Sequence, residues 1–384
     1  MARVWMDQGG TFTDVVRVSD DGVMRIEKVL SQTACLTELA DGAADVRRGT
    51  TAATNALLEG TTPPVLLITN AGFEDLPWIG DGRRPSLFER NIQRARPLCD
   101  AVLGVGGRVG ADGRLVAPLD VDEAALRAHR EAGITAVAVV FIHGPLNPNA
   151  ERKVGELCET IGFESISLGH RVAPSRGFLA RLQTTLADAA LSPLLPRAPG
   201  LYMRSDGGLS TAEEWTGAQS ILSGPAGGVV GTAAIAEAAG LDMAFGLDMG
   251  GTSTDVCRVA GGVTRRDHID IAGMRLRVPS LSLETVSAGG GSILSLPDGV
   301  MAVGPTSAGA LPGPAAYGRG GPATLTDAEA VLGRLPEFPH VCGPDRDSPL
   351  DVDAAAAAIN DLRTGLALED AAQGFKAVAA ETAA

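Results

Sequence analysis

The chain alternates between short, continuous apolar runs and longer stretches in which apolar residues recur every three or four positions. Residues 65–69 and 136–142 are apolar runs rich in branched side chains, and they predict buried strands. Residues 120–132, 149–161 and 178–191 have the periodicity of amphipathic helices. Strands and helices that alternate in this way predict an α/β fold.

Other parts of the chain carry weaker patterns. Residues 76–118 are rich in glycine, proline and arginine and predict loops, and the helix over 120–132 begins near Asp120 or Asp122. The remaining predicted elements are strands over 166–168 and 201–203, and helices over 227–239 (closed by Gly240), 351–362 and 369–384.

A boundary is predicted after the helix over 178–191. Pro193, Pro196 and Pro199 follow that helix closely, and proline cannot continue helical backbone. The sequence therefore predicts two domains, 1–195 and 196–384.

One nine-residue stretch occurs twice. Residues 7–15 (DQGGTFTDV) return 241 positions later as residues 248–256 (DMGGTSTDV), with seven of nine positions identical. Short apolar runs flank both copies, so each copy predicts a strand, a tight turn and a second strand. The repeat predicts two related lobes that present the same loop to one ligand. The alternative is a pair of unrelated hairpin turns.

The residue types of the repeated loop suit a nucleotide phosphate with a metal ion. Paired glycines leave room for a ligand at the backbone, and successive N–H groups in such a turn attract anions. Carboxylates suit hydrated Mg²⁺, which takes one or two of them beside substrate phosphates. The candidate metal ligands are Asp7 and Asp248. The candidate cofactor-binding residues are Gly9, Gly10, Thr11, Thr13 and Asp14 in the first loop, and Gly250, Gly251, Thr252, Ser253, Thr254 and Asp255 in the second. Among them, Asp14 and Asp255 brace the loops by accepting hydrogen bonds from hydroxyl and N–H groups.

Two further segments have both a functional and a structural interpretation. Thr50, Thr51 and Asn55 sit in a predicted strand-to-helix turn, where they contact a ligand or simply cap the helix. Arginines are concentrated within 14 residues, where they form a clamp for a carboxylate or phosphate or a solvated loop; they are Arg83, Arg84, Arg90, Arg94 and Arg96.

Composition narrows the class of protein. The 384 residues carry a formal net charge of −14, which argues against a nucleic-acid surface. The five cysteines are scattered without metal-ligand spacing, which predicts reduced thiols and a cytoplasmic protein. No signal peptide and no apolar run long enough to cross a membrane is predicted from the sequence.

Several motifs in one order resemble the hydantoinase A / 5-oxoprolinase family, within the actin-like superfamily of ATP-binding folds. Beside the two loops, the matching segments are 49–59 (GTTAATNALLE), 223–229 (SGPAGGV), 285–293 (TVSAGGGSI), 303–310 (VGPTSAGA), 312–314 (PGP) and 326–328 (TDA). The resemblance implies two actin-like (ribonuclease H-like) lobes with duplicated phosphate-binding β-hairpins. It also adds Gly289, Gly290 and Gly291 to the candidate cofactor contacts.

The resemblance further implies ATP, Mg²⁺ or another divalent metal, and a cyclic amide substrate such as a hydantoin or 5-oxoproline. ATP would phosphorylate the amide oxygen, and Asp7 and Asp248 are the candidate catalytic residues. The implied partners are a hydantoinase B-type subunit, a second copy of the chain, or both. Two alternatives stay open: a subunit of an ATP-dependent ketone carboxylase of the acetone carboxylase type, and a non-catalytic member.

The sequence also departs from the family pattern. Family members continue for about as much again, so the second lobe is expected to be incomplete. Ala150 stands where the family typically has His, Arg171 replaces an acidic residue beside His170, and Ala190 replaces a common aromatic residue. These changes bear on the metal or substrate pocket more than on the loops.

Overall fold

The computed structural model describes residues 2–10, 12–31, 35–82, 84, 88–92, 96–175, 177–286, 288–335, 340, 342–345 and 347–383. Thr11, Arg83 and Arg94 therefore lie outside the described residues. The protein has a mixed α/β fold with several sheets, as predicted.

The strands and helices are numbered in chain order. The strands are β1 Ala2–Gln8, β2 Phe12–Val18, β3 Met24–Leu30, β4 Ala43–Thr50, β5 Val65–Asn70, β6 Ala101–Val109, β7 Leu115–Asp120, β8 Ala136–Val140, β9 Ser165–Leu168, β10 Leu201–Met203, β11 Leu209–Thr211, β12 Met243–Met249, β13 Thr254–Ala260, β14 Arg265–Arg266, β15 Ile269–Ile271, β16 Met274–Leu276, β17 Ser280–Leu281, β18 Glu284–Val286, β19 Ser292–Ser295 and β20 Ala302–Ser307. The helices are α1 Ala52–Glu59, α2 Leu76–Ile79, α3 Glu123–Glu131, α4 Asn149–Ile161, α5 Gly169–Val172, α6 Phe178–Leu191, α7 Ser223–Ala238, α8 Leu325–Val331, α9 Val352–Asp361 and α10 Leu368–Ala383.

The chain folds into two compact units that are each built from separate segments. Unit 1 comprises Met1–Gly49, Gly224–Thr264 and Ser282–Ala384, and unit 2 comprises Thr50–Ser223 and Arg265–Leu281. These units group residues by compactness, whereas the division into 1–195 and 196–384 was drawn from the loop repeat and the prolines. That division stays a prediction.

Unit 2 is centred on a sheet with strand order β7-β6-β5-β8-β9. Both β5 and β8 are buried along their whole length, which confirms the two buried strands predicted from continuous apolar runs. Leu126 of α3 and Val154 of α4 pack with one set of strand side chains, and Leu182 and Leu186 of α6 pack with the other. Asp122 caps α3 by accepting a hydrogen bond from the N–H of Ala125, as predicted.

The prediction that residues 76–118 are loops is wrong. They contain the short helix α2, the strand β6 and most of β7, and β6 pairs in parallel with β5. The pattern of β6 was obscured because three of its nine residues are glycines, which lack the apolar side chains that reveal a strand.

Unit 1 contains both copies of the repeated loop. Strands β1 to β4 lie in the order β4-β1-β2-β3, and a separate sheet has the order β12-β13-β18. Helix α7 begins at Ser223 rather than at residue 227, because a Ser-Gly-Pro start carries no apolar periodicity. The C-terminal helices α9 and α10 are confirmed, and Ile359 and Phe375 pack with Leu325 of α8 in one apolar cluster. In the described part of the chain, no helix is both long enough and apolar enough to cross a membrane.

Candidate functional site

The two copies of the loop form hairpins with the same register. Asp7 lies opposite Asp14 in the β1–β2 hairpin, and Asp248 lies opposite Asp255 in the β12–β13 hairpin. One backbone hydrogen bond closes each turn at a distance of 2.9 Å, from Gly9 to Phe12 and from Gly250 to Ser253. The sequence repeat is therefore also a repeat of local structure.

A glycine-rich segment contacts the second hairpin directly. The N–H groups of Gly290 and Gly291 donate to the carbonyl oxygens of Gly250 and Gly251, at 2.9 and 2.6 Å. A cavity of about 280 Å³ in unit 1 is lined by these four glycines, and Phe12 and Lys28 of the first hairpin sheet line it too. Parts of both hairpins therefore border one cavity, and glycine backbone forms part of its wall.

Side chains larger than hydrogen do not fit in the glycine-rich segment. A Cβ atom at Gly289 would lie 2.7 Å from backbone atoms of Thr252 and Ser253, and one at Gly291 would lie 2.8 Å from the carbonyl oxygen of Gly251. Only glycine allows the two backbones to approach this closely. The predicted grouping of Gly289–Gly291 with the loops thus has a steric basis.

The carboxylate of Asp7 stands among like charges. Its surface is open to solvent, yet neighbouring protein groups displace much of its water. This desolvation, reinforced by the negative charges of Asp14 and Asp248, raises the pKa of Asp7 to about 6. The pKa of Asp255 is also raised, first by burial and then by Asp248. The acidic residues of the two hairpins are therefore close enough to interact.

Asp14 and Asp255 have partners outside their own turns. Lys28 on β3 forms an ion pair with Asp14 at 2.6 Å, and its ammonium group lies 5.3 Å from the ring centroid of Phe12. Asp255 accepts a hydrogen bond of 2.6 Å from the hydroxyl of Thr285 on β18. Each carboxylate thus links its hairpin to the neighbouring strand.

Two threonines of the loops are buried and bonded within the protein. The Thr13 hydroxyl lies 3.0 Å from that of Ser31, which in turn donates to the carbonyl oxygen of Gly9. The Thr254 hydroxyl donates to the carbonyl oxygen of Ala288 at 2.5 Å. These hydroxyls stabilise the hairpins, whereas Thr252 is exposed in its turn.

Three residues at the cavity were not singled out from the sequence. Lys28 and Tyr317 line it, and the hydroxyl of Thr326 donates to the carbonyl oxygen of Gly290 at 2.9 Å. Buried Asp327 accepts hydrogen bonds from the N–H groups of Ala315 and Ala316, which holds the turn that carries Tyr317. The motif 326–328 contained a signal, but its role as a support for the glycine segment required the tertiary contacts.

Thr50, Thr51 and Asn55 belong to unit 2, whereas the hairpins belong to unit 1. The hydroxyl of Thr50 accepts a hydrogen bond of 3.0 Å from the N–H of Ala52 at the start of α1, and the amide of Asn55 donates to the Thr51 hydroxyl at 3.4 Å. Thr50 therefore satisfies one free N–H group at the start of α1, as the capping interpretation expects, whereas the side chain of the N-cap residue Thr51 makes no capping hydrogen bond. Their contact with a ligand stays a prediction.

His170 forms a buried pair with Glu151 in unit 2. Its Nδ1 lies 2.6 Å from the Glu151 carboxylate, which also accepts from the N–H groups of His170 and Phe141. The Nε2 atom of His170 is buried, and the described residues supply no hydrogen-bond partner for it. Ala150, one of the predicted departures from the family pattern, immediately precedes Glu151.

The acidic residues of the hairpins fit a hydrated divalent cation. In the part of the chain that the structure describes, no three His, Cys, Asp or Glu side chains are grouped as a closed metal cage. Mg²⁺ does not need such a cage, because it keeps several waters and uses one or two carboxylates beside phosphate oxygens. Desolvation first, and then repulsion from Asp14 and Asp248, raises the pKa of Asp7, and a bound cation would offset that repulsion.

The fold and this site define a mixed α/β protein in which two glycine-rich hairpins with acidic residues border one cavity. The profile of the hydantoinase/oxoprolinase family matches residues 177–384, and the profile of the hydantoinase/oxoprolinase N-terminal region matches residues 3–162. The chain belongs to the hydantoinase/oxoprolinase family, which confirms the family resemblance stated from its motifs.

Related proteins include enzymes with named activities. The chain is 36% identical to the 5-oxoprolinase of Saccharomyces cerevisiae, over 99% of this chain and 36% of that protein. It is 33% identical to the caprolactamase subunit alpha of Pseudomonas jessenii, over 97% of this chain and 60% of that protein. The chain therefore spans only about a third of the oxoprolinase and under two thirds of the caprolactamase subunit.

Solved structures show the same fold. A nucleotide-free acetone carboxylase superposes with a TM-score of 0.79 at 25% identity, covering 98% of this chain and 61% of that one. The ATP-dependent caprolactamase from Pseudomonas jessenii superposes with a TM-score of 0.70 at 31% identity, covering 99% of this chain and 62% of that one. An actin-like fold is consistent with these similarities.

Proposed function

We propose that the chain carries the ATP-binding part of an enzyme that opens a cyclic amide by hydrolysis. The observation that carries this proposal is the cavity in unit 1, which two hairpins of identical register and the Gly289–Gly291 segment border. The 5-oxoprolinase and caprolactamase relatives support a cyclic amide as substrate. The two actin-like lobes, the second one incomplete, are part of the same proposal.

Carboxylate side chains and backbone N–H groups would have different roles in the site. Asp7 and Asp248 would hold hydrated Mg²⁺, which neutralises phosphate charge when it is bound. The N–H groups and open backbone at Gly9, Gly10, Gly250 and Gly251, with Thr252 and Ser253, would contact the phosphates. Asp14 and Asp255 would keep the hairpins in position through Lys28 and Thr285.

The reaction would proceed by activation of the amide oxygen. That oxygen attacks the γ-phosphorus of ATP, and the bond from this phosphorus to the bridging oxygen breaks to release ADP. Water would then add to the activated carbon, and the ring C–N bond would break as the amine takes a proton, which leaves an acyl phosphate. A second water would hydrolyse the acyl phosphate to a carboxylate, and phosphate would leave with the former amide oxygen. For such a transfer the protein mainly positions the reactants and stabilises charge, and Asp248 is the candidate for orienting the attacking oxygen.

Further polypeptide would complete the enzyme. The chain spans 60% of the Pseudomonas jessenii protein, and that protein is named as a subunit alpha. Full activity would therefore need the segments that the longer relatives contain, a hydantoinase B-type subunit, or both.

Calorimetric titration of Mg-ATP tests the nucleotide site. We expect saturable binding to the chain and loss of at least about tenfold in affinity for Asp7→Ala and for Asp248→Ala, since a charged contact contributes about 1.5–3 kcal/mol. Asp353→Ala is the matched control, because Asp353 is an exposed carboxylate on α9 of the same unit. Equal affinity of all three variants would show that the proposed metal ligands are wrong.

A ketone carboxylase subunit is the second candidate function. The structural similarity to acetone carboxylase, with a TM-score of 0.79, favours it specifically. In the assembled enzyme, ATP consumption with acetone that depends on bicarbonate would indicate carboxylation. ATP consumption with 5-oxoproline or caprolactam that does not depend on bicarbonate would indicate ring opening.

A further inference from the structure

Unit 2 contains a larger cavity that the proposed nucleotide site does not use. It has a volume of about 690 Å³, which lies within the range of pockets for small organic ligands. The described residues that line it belong to α2 and the segment after it, to one face of α6, and to the β15–β16 hairpin. All of these elements belong to unit 2.

The cavity has an apolar wall that is open to solvent. Trp78 and Ile79 on α2 are 51% and 49% exposed although both are large apolar side chains. Leu182 and Leu186 of α6 and Met274 of β16 also line the cavity. A concave surface of this composition suits the apolar body of a ligand.

Arginines provide the polar part of the same cavity. Arg275 is already neutralised by Asp270, through two hydrogen bonds of 2.8 Å between their side chains. Arg96 forms a pair of 3.0 Å with Asp100, but this pair is exposed and so contributes little to holding the arginine in place. The guanidinium of Arg84 donates to the carbonyl oxygen of Glu89 at 2.6 Å, and among the described residues no carboxylate forms an ion pair with it.

Among the described residues that line the cavity, three arginines face two aspartates, Asp81 and Asp270. Asp270 pairs with Arg275 and Asp100 pairs with Arg96, so Arg84 is the lining arginine for which the described residues supply no carboxylate. One negative charge on a ligand would balance Arg84, whereas a phosphate dianion would carry more negative charge than this arginine balances. Arginine matches the planar, two-oxygen geometry of a carboxylate especially well.

We propose that this cavity binds a small organic carboxylate. Its apolar body lies against Trp78, Ile79 and Met274, and its carboxylate is bound by Arg84, with Arg96 as a second cation. The inference is independent of the nucleotide site, because every residue that carries it belongs to unit 2 and no phosphate loop is involved.

Three related probes separate the contributions of shape and charge. Phenylacetate carries a ring and one carboxylate, phenylacetamide is its neutral analogue, and phenyl phosphate carries more negative charge. We expect phenylacetate to bind in a calorimetric titration of the full chain without nucleotide. Phenylacetamide should bind at least about tenfold more weakly, as expected when a charge-assisted hydrogen bond is lost.

Variants assign the binding to this cavity. Arg84→Gln should weaken phenylacetate binding at least about tenfold while leaving phenylacetamide unchanged, since only the charged contact is removed. Arg114→Gln is the matched control, because Arg114 is an exposed arginine of unit 2 that does not line the cavity. Arg84 is exposed, so circular dichroism should show that its variant folds normally.

Several outcomes would overturn the proposal. They are no binding of phenylacetate at millimolar concentration, equal binding of phenylacetate and phenylacetamide, and equal binding to the wild type and Arg84→Gln. Tighter binding of phenyl phosphate than of phenylacetate would replace the carboxylate with a phosphate ester as the ligand. A failure of Mg-ATP to bind would leave each of these readings unaffected.

Discussion

The pKa of Asp7, one of the repeated aspartates, is set by the groups that surround it in the fold. An aspartate on a strand end ordinarily has a pKa of 3.8, but desolvation and the charges of Asp14 and Asp248 raise it to about 6. Neither effect can be read from the sequence, because both depend on groups that are brought together from distant positions. The protonation of Asp7 therefore depends both on folding and on pH.

Replacement of Asp7 by Asn should stabilise the protein at neutral pH in the absence of divalent cations. The folded protein holds this proton more tightly than the unfolded chain does, so ionisation of Asp7 lowers the free energy of unfolding. This decrease in the free energy of unfolding is absent below pH 3.8 and complete above about pH 6. We expect Tm of Asp7→Asn to exceed that of the wild type by less than about 3 °C at pH 7.5, and to equal it at pH 3.5.

Addition of Mg²⁺ tests the effect of the Asp7 charge in a second way. Mg²⁺ should raise Tm of the wild type at pH 7.5 more than that of Asp7→Asn, because the cation relieves the repulsion only where the carboxylate is present. Asp353→Asn, in an exposed part of α9, should behave as the wild type. A Tm difference that is the same at both pH values and with or without Mg²⁺ would contradict the prediction.

At the scale of elements, the sequence predicted strands and helices with a clear apolar pattern and missed a strand whose pattern is interrupted by glycines. Strands β5 and β8 and helices α4 and α6 were predicted because they are bounded by loops and carry continuous or periodic apolar residues. Strand β6 was missed because glycines replace part of its apolar pattern. The glycine segment Gly289–Gly291 was recognised through the family motif, whereas Lys28, Tyr317 and Thr326 were missed because only the tertiary fold brings them to the cavity.

Strand β12 is an edge strand with one uncovered apolar face. Among the described residues it pairs only with β13, and Gly246 faces Thr232 of α7 on one side of the sheet. Met243, Phe245, Leu247 and Met249 alternate onto the other side and are 52%, 67%, 70% and 47% exposed. An exposed apolar edge of this kind promotes pairing with another chain.

We expect Phe245→Lys to reduce concentration-dependent self-association, measured by sedimentation velocity. Stability should change by less than about 0.5 kcal/mol, because the side chain is exposed and makes few contacts to lose. Leu366→Lys is the control, since Leu366 is 54% exposed but lies in the loop before α10. Self-association that is equally strong in both variants and the wild type would rule out β12 as the associating edge.

At the scale of the whole molecule, the chain passes between its two compact units four times. The segment Arg265–Leu281 belongs to unit 2, although it lies between two segments of unit 1 in the chain. It brings Ile269, Met274 and Leu276 into a buried cluster with Leu57 and Leu191. Unit 2 is therefore incomplete without residues that lie far beyond its first segment.

Replacement of Leu276 by Ala should strongly destabilise unit 2. Leu276 is fully buried, and deletion of a buried leucine side chain costs about 2–5 kcal/mol. Differential scanning calorimetry of the full chain should show a lowered transition temperature, whereas Leu366→Ala should leave it nearly unchanged. A loss below about 1 kcal/mol for Leu276→Ala would show that the returning segment contributes little to the core.

The interleaved order of the segments sets a sequence of events during synthesis. The first hairpin leaves the ribosome about 240 residues before its counterpart, and neither hairpin can meet Gly289–Gly291 until that segment is made. Most of unit 2 is synthesised in between, and domains generally fold as units during translation. The first hairpin is therefore synthesised well before the residues that complete its cavity, and the proposed nucleotide site can form only after Gly289–Gly291 and Thr326 have been made.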